Sequence, residues 1–215
     1  MYQYILFDLD GTLTDSREGI TKSVQYALDQ IGIHEPDLTS LEHFIGPPLY
    51  DEFIRCYGFS PEVAKNAVAA YRERYNDIGW KENLLFDGIP AVLKALGDAG
   101  RKLGVASSKP KVFVERILNL FDIAQYFDVV SGATLDGKVS TKAQVLDCAL
   151  HGLGVTDKAQ AVLVGDRMHD VEGAKTHGID CVGVTFGFGG RQELAEAGAA
   201  HIVDTMDELQ AVLLA

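Results

Sequence analysis

The chain has 215 residues, of which 47% are apolar and 23% charged, a composition that excludes an intrinsically disordered protein. Its 19 basic and 31 acidic residues give a net charge of −12, which argues against binding to nucleic acid or to an anionic membrane surface. Three widely spaced cysteines, Cys56, Cys148 and Cys181, match neither a disulfide framework nor a zinc spacing. Asp8 interrupts the first apolar run too early for a signal peptide, so we expect a soluble, cytoplasmic protein.

Short, continuous apolar runs predict buried strands at residues 4–7, 103–106, 161–164 and 181–184, with a weaker run at 202–203. Apolar stripes of helical period lie between these runs and predict helices near residues 89–96, 112–121 and 145–150. Because strands that alternate with helices form crossover units, the pattern indicates an α/β fold with a parallel sheet.

The segment 15–82 interrupts this alternation and contains no convincing strand. Ile20, Val24 and Leu28 fall on one helical face, and Ser60 before Pro61 opens a second helix. We therefore predict a helical subdomain at residues 15–82, inserted into a core formed by residues 1–14 and 83–215.

Acidic and hydroxyl side chains follow three of the predicted strands. Asp8 and Asp10 follow the first strand, Ser107 the second, and Asp166 and Asp170 the third. Ligands of open parallel sheets bind beyond the carboxyl ends of the strands. An Asp-Gly pair is also ordinary turn chemistry, but the recurrence of acidic or hydroxyl side chains at three strand ends favours a functional site.

The carboxylates of Asp8, Asp10 and Asp166 form a set of hard oxygen donors, which suits Mg²⁺. His169 is either a local hydrogen-bonding residue or a contact of the metal or substrate. The glycine-rich segment 187–190 lacks the lysine that follows a P-loop, so we interpret it as a turn from strand to helix.

The sequence closely resembles the haloacid dehalogenase-like phosphatases, in their phosphoglycolate phosphatase-like branch. The resemblance rests on Asp-Leu-Asp-Gly-Thr-Leu at 8–13, on Ser107, on a lysine near 142, and on Gly165-Asp166 with Asp170. It covers essentially the whole chain. It implies a Rossmann-like core with helices on both faces, an inserted α-helical cap, and Mg²⁺-dependent hydrolysis of a small phosphorylated metabolite, such as phosphoglycolate or a nucleoside 5′-monophosphate.

The resemblance also implies the roles of individual residues. Asp8 would be the nucleophile that forms an aspartyl-phosphate, and Asp10 the general acid and base. Mg²⁺ would contact the Asp8 side chain, the Asp10 backbone carbonyl and Asp166, while Asp170 would hold a metal-bound water. Ser107 would donate a hydrogen bond to a phosphoryl oxygen.

A lysine would offset the negative charge of nucleophile and phosphate, and we assign this role to Lys142, with Lys138 as the alternative. Arg167 replaces a small hydroxyl residue and either pairs with acidic neighbours or approaches the site entrance. The residues expected to contact the substrate are Gly11, Thr12, Ser108, Lys109 and, in the cap, Gly46. For Lys109 a surface charge, and for Gly46 a plain turn, are equally good interpretations.

Two other functions share parts of this pattern. A sugar phosphomutase of the β-phosphoglucomutase type has the same motifs but retains the phosphate that it transfers. A phospho-acceptor signalling domain also combines aspartates, a hydroxyl residue and a lysine at strand ends, but it lacks an inserted cap. The sequence does not specify the physiological substrate, and a monomer or a small homo-oligomer is expected.

Overall fold

The computed structural model describes residues 1–215, which form two compact units. The core unit consists of Met1–Thr14 and Leu85–Ala215, and the cap unit of Asp15–Leu84. The predicted inserted subdomain, 15–82, ends two residues before the cap unit does.

The strands are β1 (Tyr4–Phe7), β2 (Thr14–Asp15), β3 (Leu84–Leu85), β4 (Lys102–Pro110), β5 (Val129–Ala133), β6 (Ala161–Gly165), β7 (Asp180–Val184) and β8 (His201–Val203). The α-helices are α1 (Arg17–Asp29), α2 (Leu49–Tyr57), α3 (Pro61–Asp77), α4 (Ile89–Asp98), α5 (Lys111–Leu120), α6 (Lys142–Gly152), α7 (Met168–His177), α8 (Gly190–Ala197) and α9 (Met206–Leu214). None of these helices combines the length and the apolar character that crossing a bilayer requires.

The core unit is built on a six-stranded parallel sheet in the order β5-β4-β1-β6-β7-β8. In β1, Ile5, Leu6 and Phe7 are all fully buried. Successive strand residues point to opposite faces, so both faces of the sheet are covered. This is the Rossmann-like α/β fold that the sequence predicts. Strand β5, at one edge, was not among the predicted strands.

The register of the central strands aligns the residues that follow them. Phe7 at the end of β1 pairs with Val105 of β4 on one side and Val164 of β6 on the other. The next residues along the three strands therefore meet at one edge of the sheet. Asp8 and Asp166 belong to this edge, at the position where α/β proteins bind ligands.

The cap unit contains α1, α2, α3 and a 3₁₀ helix at Leu38–Phe44. The predicted apolar face of α1, carried by Ile20, Val24 and Leu28, is buried. Helix α3 begins at Pro61 because the Ser60 hydroxyl accepts the Val63 N–H at 3.3 Å and caps the first turn. The helical period in the sequence was thus sufficient to locate both helices.

Candidate active site

Asp8 and Asp10 are held by the turn that follows β1. The Asp8 N–H donates to the Val164 carbonyl at 2.9 Å and continues the parallel ladder one residue beyond the strand. The Leu9 carbonyl then accepts the N–H groups of Leu13 at 2.9 Å and Thr14 at 3.0 Å. Both aspartate side chains are buried at the edge of the sheet. Local backbone hydrogen bonds therefore fix their positions.

Asp166 and Asp170 complete the acidic group from β6 and the first turn of α7. The fully buried Asp166 accepts the Phe188 N–H at 2.7 Å and the Thr12 hydroxyl at 3.4 Å. Asp170 Oδ2 accepts the N–H groups of Asp166 and Arg167, both at 3.1 Å. An acidic side chain at a helix N-terminus is favoured by the helix dipole. The Thr12 side chain thus supports Asp166, and its contact with substrate stays a prediction.

Three carboxylates form a candidate metal centre. One oxygen from each of Asp8, Asp166 and Asp170 lies within 4.8 Å of the other two. Hard oxygen donors with an excess of negative charge fit Mg²⁺. The Asp10 side chain is not in this group, and the predicted role of its backbone carbonyl stays a prediction. His169 is partly exposed, with Nδ1 3.8 Å from Glu172, and is outside the group as well.

Burial and crowding shift the ionisation of these groups. Burial, reinforced by the charge of Asp170, raises the pKa of Asp166 well above its usual range. Burial also raises the pKa of Asp170, although the Lys142 ammonium opposes the shift. Burial alone would lower the pKa of Lys142, but the charges of Asp170 and Asp8 outweigh it and raise that pKa. The lysine is therefore a permanent cation in this site.

Lys142, and not Lys138, is the lysine within the site. Its Nζ lies 2.8 Å from Asp8 Oδ1 and 2.7 Å from Asp170 Oδ1, and it donates to the Ala106 carbonyl at 3.0 Å. The Lys138 side chain is 84% exposed and pairs with Asp136. The structure thus places the predicted lysine next to the predicted nucleophile.

A capping box sets the position of Lys142 at the start of α6. The Thr141 hydroxyl accepts the Gln144 N–H at 3.3 Å, and Gln144 Oε1 accepts the Thr141 N–H at 3.2 Å. On the opposite side, a Cβ atom at Gly173 would lie 2.7 Å from Lys142 Cγ. The glycine on α7 therefore makes room for the lysine stem.

Lys109 is buried and paired with Asp10. Its Nζ donates to both carboxylate oxygens, at 2.8 and 2.6 Å. This geometry excludes the interpretation of Lys109 as a surface charge, while its contact with substrate stays a prediction. The buried Ser107 hydroxyl accepts the Lys109 N–H at 3.4 Å, and Ser108 is half-buried between them. These residues end β4 at the same edge of the sheet.

The segment 187–190 joins β7 to α8, as expected, but it also contributes to the site. The Phe188 N–H bonds Asp166, a role that the sequence interpretation missed. A Cβ atom at Gly187 would lie 2.3 Å from both Asp166 Cβ and the Gly11 carbonyl. Only glycine allows this close approach, so a glycine-rich turn after a strand was the available signal.

The two remaining predicted residues are Arg167 and Gly46. Arg167 Nε donates to Glu193 at 2.9 Å, in keeping with the interpretation that it pairs with an acidic neighbour. Gly46 belongs to the cap unit, in a turn where its φ is +103°. Its contact with substrate stays a prediction.

Comparison with known proteins identifies the family. The family model described as haloacid dehalogenase-like hydrolase matches residues 5–184, which is most of the chain. The chain belongs to this family. The carboxylates at the ends of β1 and β6 lie within the matched region.

Several relatives of this haloacid dehalogenase-like hydrolase match nearly its whole length. A 5′-nucleotidase from Pseudomonas aeruginosa is 47% identical over 99% of the chain and 96% of the relative. The tyrosine-protein kinase PtkA from Mycobacterium tuberculosis is 44% identical over 98% of the chain and 72% of the relative. The crystal structure of a predicted phosphatase from Clostridium acetobutylicum is 48% identical, with a TM-score of 0.95, and covers 100% of the chain and 99% of that structure. The chain is an enzyme, a hydrolase of the phosphatase type.

Proposed function

We propose that the chain is a Mg²⁺-dependent phosphomonoesterase that works through an aspartyl-phosphate on Asp8. The proposal rests mainly on which side chains surround the Asp8 carboxylate. It lies beside Asp166 and Asp170 and 2.8 Å from the Lys142 ammonium. A carboxylate that lies next to a buried cation is equipped to attack a phosphorus atom.

The reaction proceeds in two displacements. A carboxylate oxygen of Asp8 forms a bond to phosphorus as the bond to the ester oxygen breaks. Asp10 gives its proton to that leaving oxygen. Water then attacks the aspartyl-phosphate, Asp10 takes up the proton of the water, and inorganic phosphate leaves Asp8 as it was. The Ser107 hydroxyl donates to a phosphoryl oxygen, and Lys142 offsets the negative charge in both steps.

The pairing of Lys109 with Asp10 determines when Asp10 can act as an acid. Both Asp10 carboxylate oxygens accept hydrogen bonds from Lys109 Nζ, so neither is free to donate to a leaving group. Asp10 can act as an acid only after Lys109 has turned to a different anion and Asp10 has taken up a proton from solvent. The phosphate of an arriving substrate is such an anion, so substrate binding releases Asp10 for proton transfer.

The residues that would hold Mg²⁺ are the carboxylates of Asp8 and Asp166 and the backbone carbonyl of Asp10, with Asp170 acting through a water molecule. When bound, Mg²⁺ neutralises the crowded carboxylates and stabilises the charge on the phosphoryl oxygens. The hydrogen bonds from Thr12 and the Phe188 N–H keep Asp166 oriented for this role.

Nucleoside 5′-monophosphates are the substrate class that we propose first, with phosphoglycolate second. The relative described as a 5′-nucleotidase supports this order, because it is 47% identical over nearly the whole chain. Gly46 in the cap unit is the proposed point of close approach, since a residue without a side chain leaves room for a substrate.

The test is phosphate release from a panel of nucleoside monophosphates, phosphoglycolate, sugar phosphates and an aryl phosphate, with Mg²⁺ or with EDTA. We expect release that requires Mg²⁺ and is abolished by Asp8→Asn. The matched control is Asp98→Asn, since Asp98 is an exposed surface aspartate that pairs only with Lys94. Retention of most Mg²⁺-dependent activity by Asp8→Asn would make the nucleophile assignment wrong.

Two outcomes would indicate that the phosphoryl group is transferred to an acceptor other than water. Isomerised sugar phosphate without released phosphate would indicate a phosphomutase. Labelled phosphate transferred from ATP to protein tyrosine would indicate an activity like the one for which PtkA is named. The absence of phosphate release from the whole panel, with Mg²⁺ present, would reject the phosphomonoesterase.

A further inference from the structure

The cap unit contains a second group of metal-ligating side chains, apart from the carboxylates of the core unit. One ligand atom from each of His43, Glu52 and Cys56 lies within 4.8 Å of the other two. We propose that these three side chains form a Zn²⁺ site in the cap unit.

The ligands come from two elements on either side of a turn. His43 is in the last turn of the 3₁₀ helix at Leu38–Phe44, and Glu52 and Cys56 are on α2. Residues four apart on a helix share a face, so both α2 side chains point the same way. This spacing matches no familiar zinc motif, so the sequence alone does not predict a zinc site here.

The spacing of the donor atoms suits a tetrahedral ion. Cys56 Sγ lies 3.6 Å from Glu52 Oε2. With a Zn–S distance of about 2.3 Å and a Zn–O distance of about 2.1 Å, tetrahedral geometry separates the two ligand atoms by about 3.6 Å. The thiol and the carboxylate therefore already have the separation that a shared Zn²⁺ requires.

Hydrogen bonds orient two of the ligands as in known metal sites. His43 Nδ1 lies 2.9 Å from the Ser40 carbonyl, which can only accept, so Nδ1 carries the proton and the lone pair is on Nε2. Metal-binding histidines characteristically donate their other ring N–H to a carbonyl in this way. The buried Glu52 carboxylate is oriented by Arg55, whose Nε donates to Oε1 at 3.0 Å and whose Nη2 donates to Oε2 at 2.5 Å. An ion at Oε2 would share that oxygen with Arg55 Nη2.

The chemistry of the donors favours Zn²⁺ over Mg²⁺. A thiolate and an imidazole beside one carboxylate are preferred by borderline-soft ions. Burial and the Glu52 charge raise the pKa of the Cys56 thiol, so the sulfur is protonated until an ion binds. Forming the Zn–S bond therefore releases the thiol proton to solvent. The thiolate, Glu52 and Arg55 then carry a combined charge of −1 toward the dication.

A bound ion would connect the two sides of the turn at Gly46-Pro47-Pro48. His43 precedes this turn, and Glu52 and Cys56 follow it. Because the prolines already restrict the backbone, a cross-link across the turn would leave it little freedom. The site would thus fix the part of the cap in which Gly46 lies.

Cobalt is the spectroscopic probe for this site. The full-length protein is saturated with Mg²⁺, so that the carboxylate cluster is occupied, and Co²⁺ is then added. We expect a thiolate-to-cobalt charge-transfer band in the near ultraviolet that reaches its maximum at one equivalent. An oxygen-only site cannot produce this band, so it distinguishes the cap cysteine from the core carboxylates.

Three variants locate the ion. Cys56→Ser should abolish the band, and His43→Gln should weaken Zn²⁺ binding at least tenfold in competition with a chelating dye. Cys148→Ser is the matched control, because Cys148 is also exposed but lies on α6, and it should leave both signals unchanged. Far-ultraviolet circular dichroism of the metal-free proteins establishes that the variants fold. Absence of the band from the wild type, or its survival in Cys56→Ser, would overturn the proposal.

Discussion

Two lysines close together in the sequence have opposite surroundings in the structure. Lys142 is buried between Asp8 and Asp170, whereas Lys138 projects from the loop before α6. The sequence analysis assigned the role to Lys142 and kept Lys138 as the alternative, because either one precedes the apolar stripe of α6. The capping box at Thr141 distinguishes the two lysines, because it makes Lys142 the first residue of α6 and this residue is directed at the sheet edge.

We expect Lys142→Met to lower kcat for an aryl phosphate by roughly 10²–10³-fold, the effect known for removing one hydrogen-bond donor that stabilises transition-state charge. Lys138→Met removes only an exposed pair with Asp136 and should change kcat by less than about twofold. Steady-state kinetics at saturating Mg²⁺ measure both. A larger loss for Lys138→Met would move the catalytic lysine to that position.

Residues at strand ends could be predicted from the sequence, and residues joined by loops could not. Asp8 and Asp166 were found because each directly follows an apolar run. Lys109 and Asp10, which form an ion pair, are separated by 99 residues in the sequence. Phe188 and Asp166, which are joined by a hydrogen bond, are separated by 22 residues. Their meeting depends on how β4 ends and how the loop after β7 folds back, which no local pattern records.

Among the elements, those with a clear apolar pattern were predicted and those with a weak one were not. Helices α1 and α3 have 13 and 17 residues, enough for an apolar face to repeat several times. Strand β5 reads Val-Val-Ser-Gly-Ala and lies at the edge of the sheet, with two residues only half-buried. Two apolar residues before a serine and a glycine give too weak a signal for a strand.

Helices of the cap unit are also joined by charge, through Glu82. Its carboxylate accepts Arg74 of α3 at 2.7 Å and lies 3.4 Å from Lys22 of α1. The hydrogen bond from Arg74 is the main cause that lowers the pKa of Glu82. A lowered folded-state pKa stabilises the fold above the ordinary carboxyl pKa, and this contribution is lost as the pH falls through the folded value.

Glu82→Gln should therefore reduce the free energy of unfolding by about 1 kcal/mol at neutral pH, as expected for a partly solvated ion pair. The difference from the wild type should shrink below about pH 4, where the unfolded-state carboxyl and then the folded one are protonated. Urea unfolding at neutral pH and below about pH 4 measures this difference in unfolding free energy. Asp98→Asn, which breaks an exposed pair with Lys94, should have little effect at either pH. A Glu82→Gln deficit that persists in acid would show that packing, and not charge, is responsible.

At the scale of the whole molecule, the net charge of −12 was a poor guide to the charge of the ligand. It argued against nucleic acid and anionic membranes, but not against an anionic substrate. Inside the core unit, buried Lys142 and Lys109 accompany the buried carboxylates. A local balance of charges, invisible in the total, lets an acidic protein accept a phosphate ester.

The same charge distribution predicts how the whole molecule responds to a divalent cation. We expect Mg²⁺ at about 100 times its dissociation constant to stabilise the folded state by about 2.7 kcal/mol, which for a chain of this length would raise Tm by roughly 5–10 °C. Thermal unfolding with Mg²⁺, and with NaCl at equal ionic strength, separates site binding from screening of the −12 surface charge. Asp166→Asn removes one of the proposed ligands and should abolish the shift. If that variant were stabilised as much as the wild type, the cation would act elsewhere, and the carboxylates at the ends of β1 and β6 would not be the metal centre.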